Sequence, residues 1–444
     1  MLHGPLLGKI LIFALPLAAS SILQQLFNSA DLAVAGHFAG NQAQAAVGGN
    51  SSVISLLINL FVGMSVGANV VIANFIGQRK DHEVHDAVHT VISLAVISGF
   101  FLLALGQVAA RPILAAIDTP PDVMDMAVSY LRIYFLGMPF VMVYNFGAAI
   151  LRSVGDTKRP LYCLFISGVI NVCLNLVFVI AFHLAAAGVA IATVISNGVS
   201  ASLVIFFLTH EDSDIRLDIK RLGLNGNILR RVMRIGVPAG LQGMVFSLSN
   251  VCIQAAINRF GSDAMAGSAA AVNFEYFTFF VTSAFSQAAV TFISQNYGAH
   301  QFDRCKKVLR LSIGSGVIIT GVMCAMFVLG HNFFIRFFTV DENVIAYAIV
   351  RLFHVELLSS VPVLYEVTSA ALRGLGYSLT PTILTVFGTC GLRLAWVYLL
   401  FPNTDSFGTL LNVYPVTWAC TAILLLAAYF ILRNRIFTKE ALSH

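Results

Sequence analysis

Gln24, Asn28 and Asp31 recur at i, i+4 and i+7 in the first apolar stretch, so a helix there puts all three on one face. An acid in a run apolar enough to cross a bilayer is costly in lipid. It is expected to face a protein interior or a water-filled cavity and to mark an ion pathway. Loss of water favours a neutral carboxyl over a carboxylate, so Asp31 is suited to loading and releasing a proton, or to holding a cation. On the same stretch Pro16 removes an i−4 hydrogen bond and offers a hinge that could respond to neutralisation of the acid.

Helical rise, about 1.5 Å per residue, indicates which other polar residues share the depth of Asp31. Asp31 lies roughly twenty residues from the inner start of its helix, in the outer half of the bilayer. Asn171 and Asn175, four residues apart on one face, follow Pro160 in an outward-running helix and climb roughly 16–22 Å. Thr193 lies about 8 Å below the outer end of the next helix, and Tyr130 is similarly placed below the start of its own. Neutral oxygens and amides around one acid can hold a proton, or Na⁺ more weakly. The competing reading of Asn171 and Asn175 is interhelical hydrogen bonding.

These residues need membrane-spanning elements to position them. Of the 444 residues, 58% are hydrophobic and 11% charged, with a mean hydropathy of +0.85. Soluble globular proteins carry about 25% charged residues, so the chain lies outside that class. Hydropathy predicts about twelve spans: 9–36, 46–76, 84–110, 122–150, 158–182, 187–209, 228–259, 265–297, 305–331, 343–372, 378–401 and 409–433. With an inner N-terminus, 20 of the 26 Lys and Arg residues fall on the inner side. They include Lys9, Arg79, Lys80, Arg152, Arg373, Arg433, Arg435 and Lys439. Only Arg111, Arg259 and Arg336 lie outside, while Arg132, Arg351 and Arg393 fall within spans. Both termini are therefore expected in the cytoplasm, and the net charge of +5 is topogenic, with no nucleic-acid partner implied. The seven cysteines form no CxxC, which supports neither a zinc site nor a disulfide framework.

The two halves of the chain repeat. At an offset of 222, Pro16 matches Pro238 and Asn28 matches Asn250. At 221, Ser65 matches Ser286, Gly77 matches Gly298 and Tyr144 matches Tyr365. LRSVGDTKRP from Leu151 aligns with LRGLGYSLTP from Leu372. Six helices per half insert with the same orientation, which predicts two lobes related by an axis along the membrane normal, with a cleft between them. The expected divisions are a lobe over 1–209, an inner loop over 210–227 and a second lobe over 228–444 with a short cytoplasmic tail. No GxxxxGK[ST] or HExxH motif occurs, so neither an ATPase nor a metallohydrolase is indicated.

Over nearly its full length the chain resembles the multidrug and toxic compound extrusion (MATE) family, and more narrowly its DinF-like branch. The resemblance is carried by Pro16, Gln24, NSADLAVAGHF from Asn28, AQAAVGG from Ala43, ANFIGQRK from Ala73, the LRxxGxxxxP repeat and NVCLN from Asn171. It implies an all-α polytopic fold of twelve transmembrane helices in two six-helix lobes. It also implies a non-enzymatic secondary exporter of amphipathic, often cationic, compounds in exchange for H⁺ or Na⁺. The resemblance places Gln24, Asp31, Tyr130, Asn171, Asn175 and Thr193 around the coupling ion, with Asn28 on the same face. Asn175 departs from the branch, which often has a second acid there, and a single carboxylate favours H⁺ over Na⁺. No other cofactor or metal is expected. The partners are small-molecule drugs and membrane lipid, and the protein is expected to be a monomer of the inner (plasma) membrane. The alternatives are a lipid or lipid-linked oligosaccharide flippase of the same superfamily and, from other classes, an intramembrane enzyme or a channel.

The second half has Ile253 where Asp31 would fall, but other charges sit in its spans. Glu275, Glu356 and Arg393 reach mid-depth, so an Arg393–Glu356 or Arg393–Glu275 pair is expected. Glu275, Tyr276, Glu356 and Glu366 are candidate drug contacts, since the aromatic run from Asn273 to Phe280 suits a cationic ring system. The competing reading of those aromatics is core or lipid-facing packing, in keeping with a structural role for the charged pair. His82, His85 and His89 share a helix face, read as a solvated interface in preference to a metal site. Gly63 and Gly67 are spaced for close helix packing.

Overall fold

The computed structural model describes residues 1–117, 119–336, 338–400 and 406–441, without the side chains of Ser52 and 435–441. Arg435 and Lys439, counted above among the inner charges, lie outside the described side chains, as does residue 401 at the end of one expected span.

The regular structure of the described residues is all helical. The first half comprises α1 (Leu6–Ala39), α2 (Asn41–Gly77), α3 (Asp81–Ala116), α4 (Pro121–Leu136), α5 (Met138–Ser153), α6 (Lys158–Leu176) and α7 (Ala185–Thr209). The second comprises α8 (Gly226–Asn258), α9 (Ser262–Gly298), α10 (Phe302–Leu329), α11 (His331–Arg336), α12 (Glu342–His354), α13 (Pro362–Gly374), α14 (Leu379–Thr385), α15 (Leu392–Ala395), α16 (Phe407–Leu411) and α17 (Val413–Ala441). Among the described residues, ten helices are long and apolar enough to cross a membrane, or up to twelve if two bent pairs each count as one span. Those pairs are α4 with α5, bent by 47°, and α12 with α13, bent by 44°. A proline near the start of the second helix of each pair, Pro139 and Pro362, removes a backbone donor where the helix breaks.

The repeat extends to the backbone. Gly40 (φ 88°) precedes α2 and Gly261 (φ 91°) precedes α9, while Arg79 (φ 56°) and His300 (φ 55°) follow the same two helices. Gly155 (φ 98°) and Gly376 (φ 88°) turn the chain after α5 and α13. Each pair is 221 residues apart. Left-handed backbone costs L-residues about 1–2 kcal/mol, so its recurrence in register reflects a shared connection geometry. Helix six also widens into a π turn at Val177–Ala181, as do the segments Val386–Gly391 and Trp396–Leu400 in the second half.

Contacts group the chain into two compact units, Ala19–Gly240 and Met1–Ala18 with Leu241–His444. The expected lobe ends at 209 and 228 differ from this grouping. The long helices α1 and α8 each pass from one unit to the other just beyond their prolines, Pro16 and Pro238. Within Ala19–Gly240, α3 packs on α5, and α7 packs on both α5 and α6. Gly63 and Gly67 of α2 meet Gly240 and Gly236 of α8 so closely that a Cβ on Gly63 would lie 2.2 Å from the Gly240 nitrogen. Within the other unit α9 is central, contacting α10, α12 and α13.

Candidate ion-binding cavity

Asp31 is buried, 8% exposed, although its helix also presents Gln24 and Asn28 to open space. These three residues line a cavity of about 320 Å³ within the Ala19–Gly240 unit, together with Asn171, Thr193 and Tyr134. The i, i+4, i+7 spacing on α1 therefore serves one surface.

The Asn175 side-chain nitrogen donates to Asp31 Oδ1 at 2.5 Å and lies 3.2 Å from Asn171 Oδ1. Asn171 in turn donates to the Thr193 hydroxyl at 3.4 Å. The Thr193 hydroxyl lies 3.5 Å from Asp31 Oδ2 and 2.9 Å from the Val189 carbonyl of its own helix. Three helices, α1, α6 and α7, thus close a ring of four polar side chains. The i, i+4 pair Asn171 and Asn175 faces inward as a unit. The Asn175 carbonyl oxygen is buried without a partner, and no Lys or Arg pairs with Asp31 among the described residues.

Tyr130 is buried one helical turn from the cavity, its ring 6.1 Å from that of Tyr134, and Tyr134 reaches the lining. Asn59, Asn145 and Asn197 also line the cavity and were not singled out from the sequence. Their signal was available, since each is an amide inside an apolar span, but nothing in a lone amide gives its azimuth. Pro16 lies inside the unbroken helix α1, three residues before the point where that helix changes units.

The second unit pairs its charges differently from expectation. The Arg393–Glu356 pair, and its alternative with Glu275, are replaced by an Arg351–Glu275 pair. Arg351 Nε and Nη2 donate to the two Glu275 oxygens at 2.6 and 2.9 Å, and its Nη1 to Ser268 at 2.6 Å. Arg393 donates to Asn250 at 2.8 Å, and Glu356 accepts from Thr278 at 3.4 Å. Depth along a helix does not give lateral position, and α12 brings Arg351 against α9 where Arg393 does not reach. Of the candidate drug contacts, Glu275 and Tyr276 line a cavity of about 240 Å³ in this unit, whereas Glu356 and Glu366 are not among its lining residues. Phe274 belongs to the core, with its ring 5.1 Å from Phe327.

At the start of α3, His82 lies 3.5 Å from Asp86, and the His85 ring centre lies 4.2 Å from that of His89, tilted by 36°. His89 is held by backbone groups, the His85 carbonyl at 2.7 Å and Asp218 at 3.0–3.1 Å, so it fastens α3 to the 210–227 loop. Among the described residues no three His, Cys, Asp or Glu side chains are grouped to hold a metal ion.

A MatE family model matches residues 16–177 and again 238–399, the two copies of the repeat. The chain is 28% identical to the probable multidrug resistance protein YoeA of Bacillus subtilis (strain 168), over 96% of this chain and 94% of that one. It is 22% identical to the multidrug export protein MepA of Staphylococcus aureus (strain MSSA476), over 78% and 76% of the two chains. A solved outward-facing structure of a multidrug resistance MATE family transporter of the MOP superfamily has the same fold. Its TM-score is 0.91 at 21% identity, covering 98% of this chain and 97% of that one.

Proposed function

The chain belongs to the MatE family of multi-pass membrane transporters, and on that premise we propose that it is a multidrug exporter driven by proton antiport. It takes up amphipathic, often cationic, organic compounds and expels them by alternating access, with Asp31 as the coupling group. The cytoplasmic placement of both termini, in an inner (plasma) membrane, rests on the positive-inside charge bias.

The count of protons around Asp31 carries this reading. Thr193 has one hydroxyl proton, and the nearer acceptor is the Val189 carbonyl at 2.9 Å, against 3.5 Å to Asp31 Oδ2. Once that proton is given to Val189, Oδ2 faces a hydroxyl lone pair, and a proton on Oδ2 itself satisfies both oxygens. Oδ1 is meanwhile held by the Asn175 amide. Asp31 is the one carboxylate among the described residues lining this cavity, and a single carboxylate favours H⁺ over Na⁺. Loss of the proton leaves Oδ2 opposite a lone pair and gives Thr193 cause to rotate, a local change that α1 and α7 share.

Transport would follow from competition: a cationic compound entering the cavity favours the charged carboxylate, and a proton arriving from outside displaces the compound. Reconstituted in liposomes, the protein should move an organic cation when a pH gradient alone is imposed. Flux driven by a sodium gradient alone, and absent under a pH gradient, would overturn the proton assignment.

A further inference from the structure

The second cavity contains a guanidinium that makes no ion pair among the described residues. Arg393 is 1% exposed, yet its only hydrogen bond among the described residues is from Nη1 to the neutral Asn250 amide, and its Nε is buried without a partner. Its guanidinium lies 4.8 Å from the Tyr414 ring centre and 5.1 Å from that of Phe246. Arg351 approaches the same Tyr414 ring at 5.4 Å, but both of its carboxylate contacts go to Glu275. Glu356 bonds to Thr278 and makes no ion pair with Arg393. Two guanidiniums and one carboxylate therefore line the cavity, leaving one positive charge in surplus.

A buried charge held by one neutral partner is expensive, and an unpartnered buried donor calls for an explanation. Cation–π contact offsets part of the cost but leaves the Nε–H unfilled. Four further rings, Tyr276, Phe279, Tyr365 and Trp418, line the cavity beside small polar and aliphatic residues. A planar guanidinium beside a space of about 240 Å³ walled by rings matches a planar anion carried on an aromatic body.

We propose that this cavity binds aromatic carboxylates, with Arg393 taking the carboxylate and the surrounding rings taking the apolar body. Compounds with a carboxylate, zwitterions among them, then enter the set of ligands beside the cations accepted near Asp31. This inference rests on the exporter reading only for the direction in which such ligands move, since binding itself requires no gradient.

Trp418 lines the cavity and supplies the reporter. The chain has 2 tryptophans, and Trp396→Phe removes the other at the loss of one bond to the Thr409 carbonyl. The full chain in detergent is titrated with 9-anthracenecarboxylate, its neutral carboxamide and the cationic 9-(aminomethyl)anthracene, reading energy transfer from Trp418. The carboxylate should bind about tenfold more tightly than the carboxamide, as a charge-assisted guanidinium contact requires. Arg393→Gln should erase that preference and Arg393→Lys should keep part of it. Asp31→Asn, which stops transport on the exporter reading, should leave the preference intact, so the two proposals fail separately. If Arg393→Gln does not fold, the three ligands on the Trp396→Phe protein still decide. Equal or tighter binding of the carboxamide or the amine overturns the proposal, as does a carboxylate preference that survives Arg393→Gln. Arg393 would then be only an anchor for Asn250.

Discussion

Asn175 reaches Asp31 across 144 residues of chain and donates its side-chain amide to Oδ1, fixing one oxygen of the acid and leaving the other for Thr193. The bond links α1 to α6, and a buried carboxyl stripped of such a donor loses about 1.5–3 kcal/mol. Asn175→Leu is therefore expected to lower pH-gradient-driven flux at least about tenfold, with the amount of folded protein unchanged. Thr193→Val should act in the same direction and Thr193→Ser should approach the unsubstituted protein. Radiolabelled organic-cation flux in proteoliposomes measures all three.

The paired ion in the other unit predicts a non-additive result. Arg351 and Glu275 are bonded at two points, with side chains 4% and 17% exposed. Removing one partner of a buried pair costs about 3–5 kcal/mol, whereas replacing both with apolar groups is often neutral. Glu275→Leu should lower the melting temperature sharply, and Glu275→Leu with Arg351→Met should recover most of it. Thermal unfolding in detergent gives the comparison, and equal losses in the single and double variants would contradict the pairing.

Gly40 and Gly261 provide a test of the repeat at the level of backbone. Each has open space where a Cβ would sit, yet each holds φ near 90° with ψ near 180°, at 88°, 174° and 91°, −177°. Alanine at either position should cost about 1–3 kcal/mol through conformation alone. The two variants should lose similar amounts of thermal stability; a loss at only one would break the equivalence.

A steric penalty is expected where α2 crosses α8. A methyl on Gly63 would lie 2.2–2.3 Å from the Gly240 backbone, which cannot turn aside as a side chain can. Gly63→Ala should destabilise by about 1–3 kcal/mol, read as a lower melting temperature. Gly49→Ala on the same helix meets nothing within 4 Å and should be neutral or slightly stabilising.

Much of this architecture was legible in the residues because its signals are one-dimensional. Span length follows from hydropathy, and the repeat follows from Pro16 with Pro238 and Arg152 with Arg373. The cluster around Asp31 was readable since i, i+4 spacing gives a shared face and rise gives depth. Azimuth was not. Arg393, Arg351, Glu275 and Glu356 all lie in the second-half spans, and which pairs form depends on how α9, α12 and α15 are rotated against one another. Tyr130 and Tyr134 occupy one helix face and differ in depth by one helical turn, finer than an estimate from rise resolves, and only the latter reaches the cavity. The exchange of the first parts of α1 and α8 between units was also hidden, because it depends on contacts far apart in sequence.

The most direct test of the coupling claim is flux through Asp31→Asn, a substitution that keeps the shape of the side chain and removes the titratable group. In proteoliposomes with an imposed pH gradient, the variant's gradient-driven flux should fall to the level of protein-free vesicles, with the amount of folded, reconstituted protein unchanged. Flux equal to that of the unsubstituted protein would show that the proton is carried elsewhere and would contradict the account.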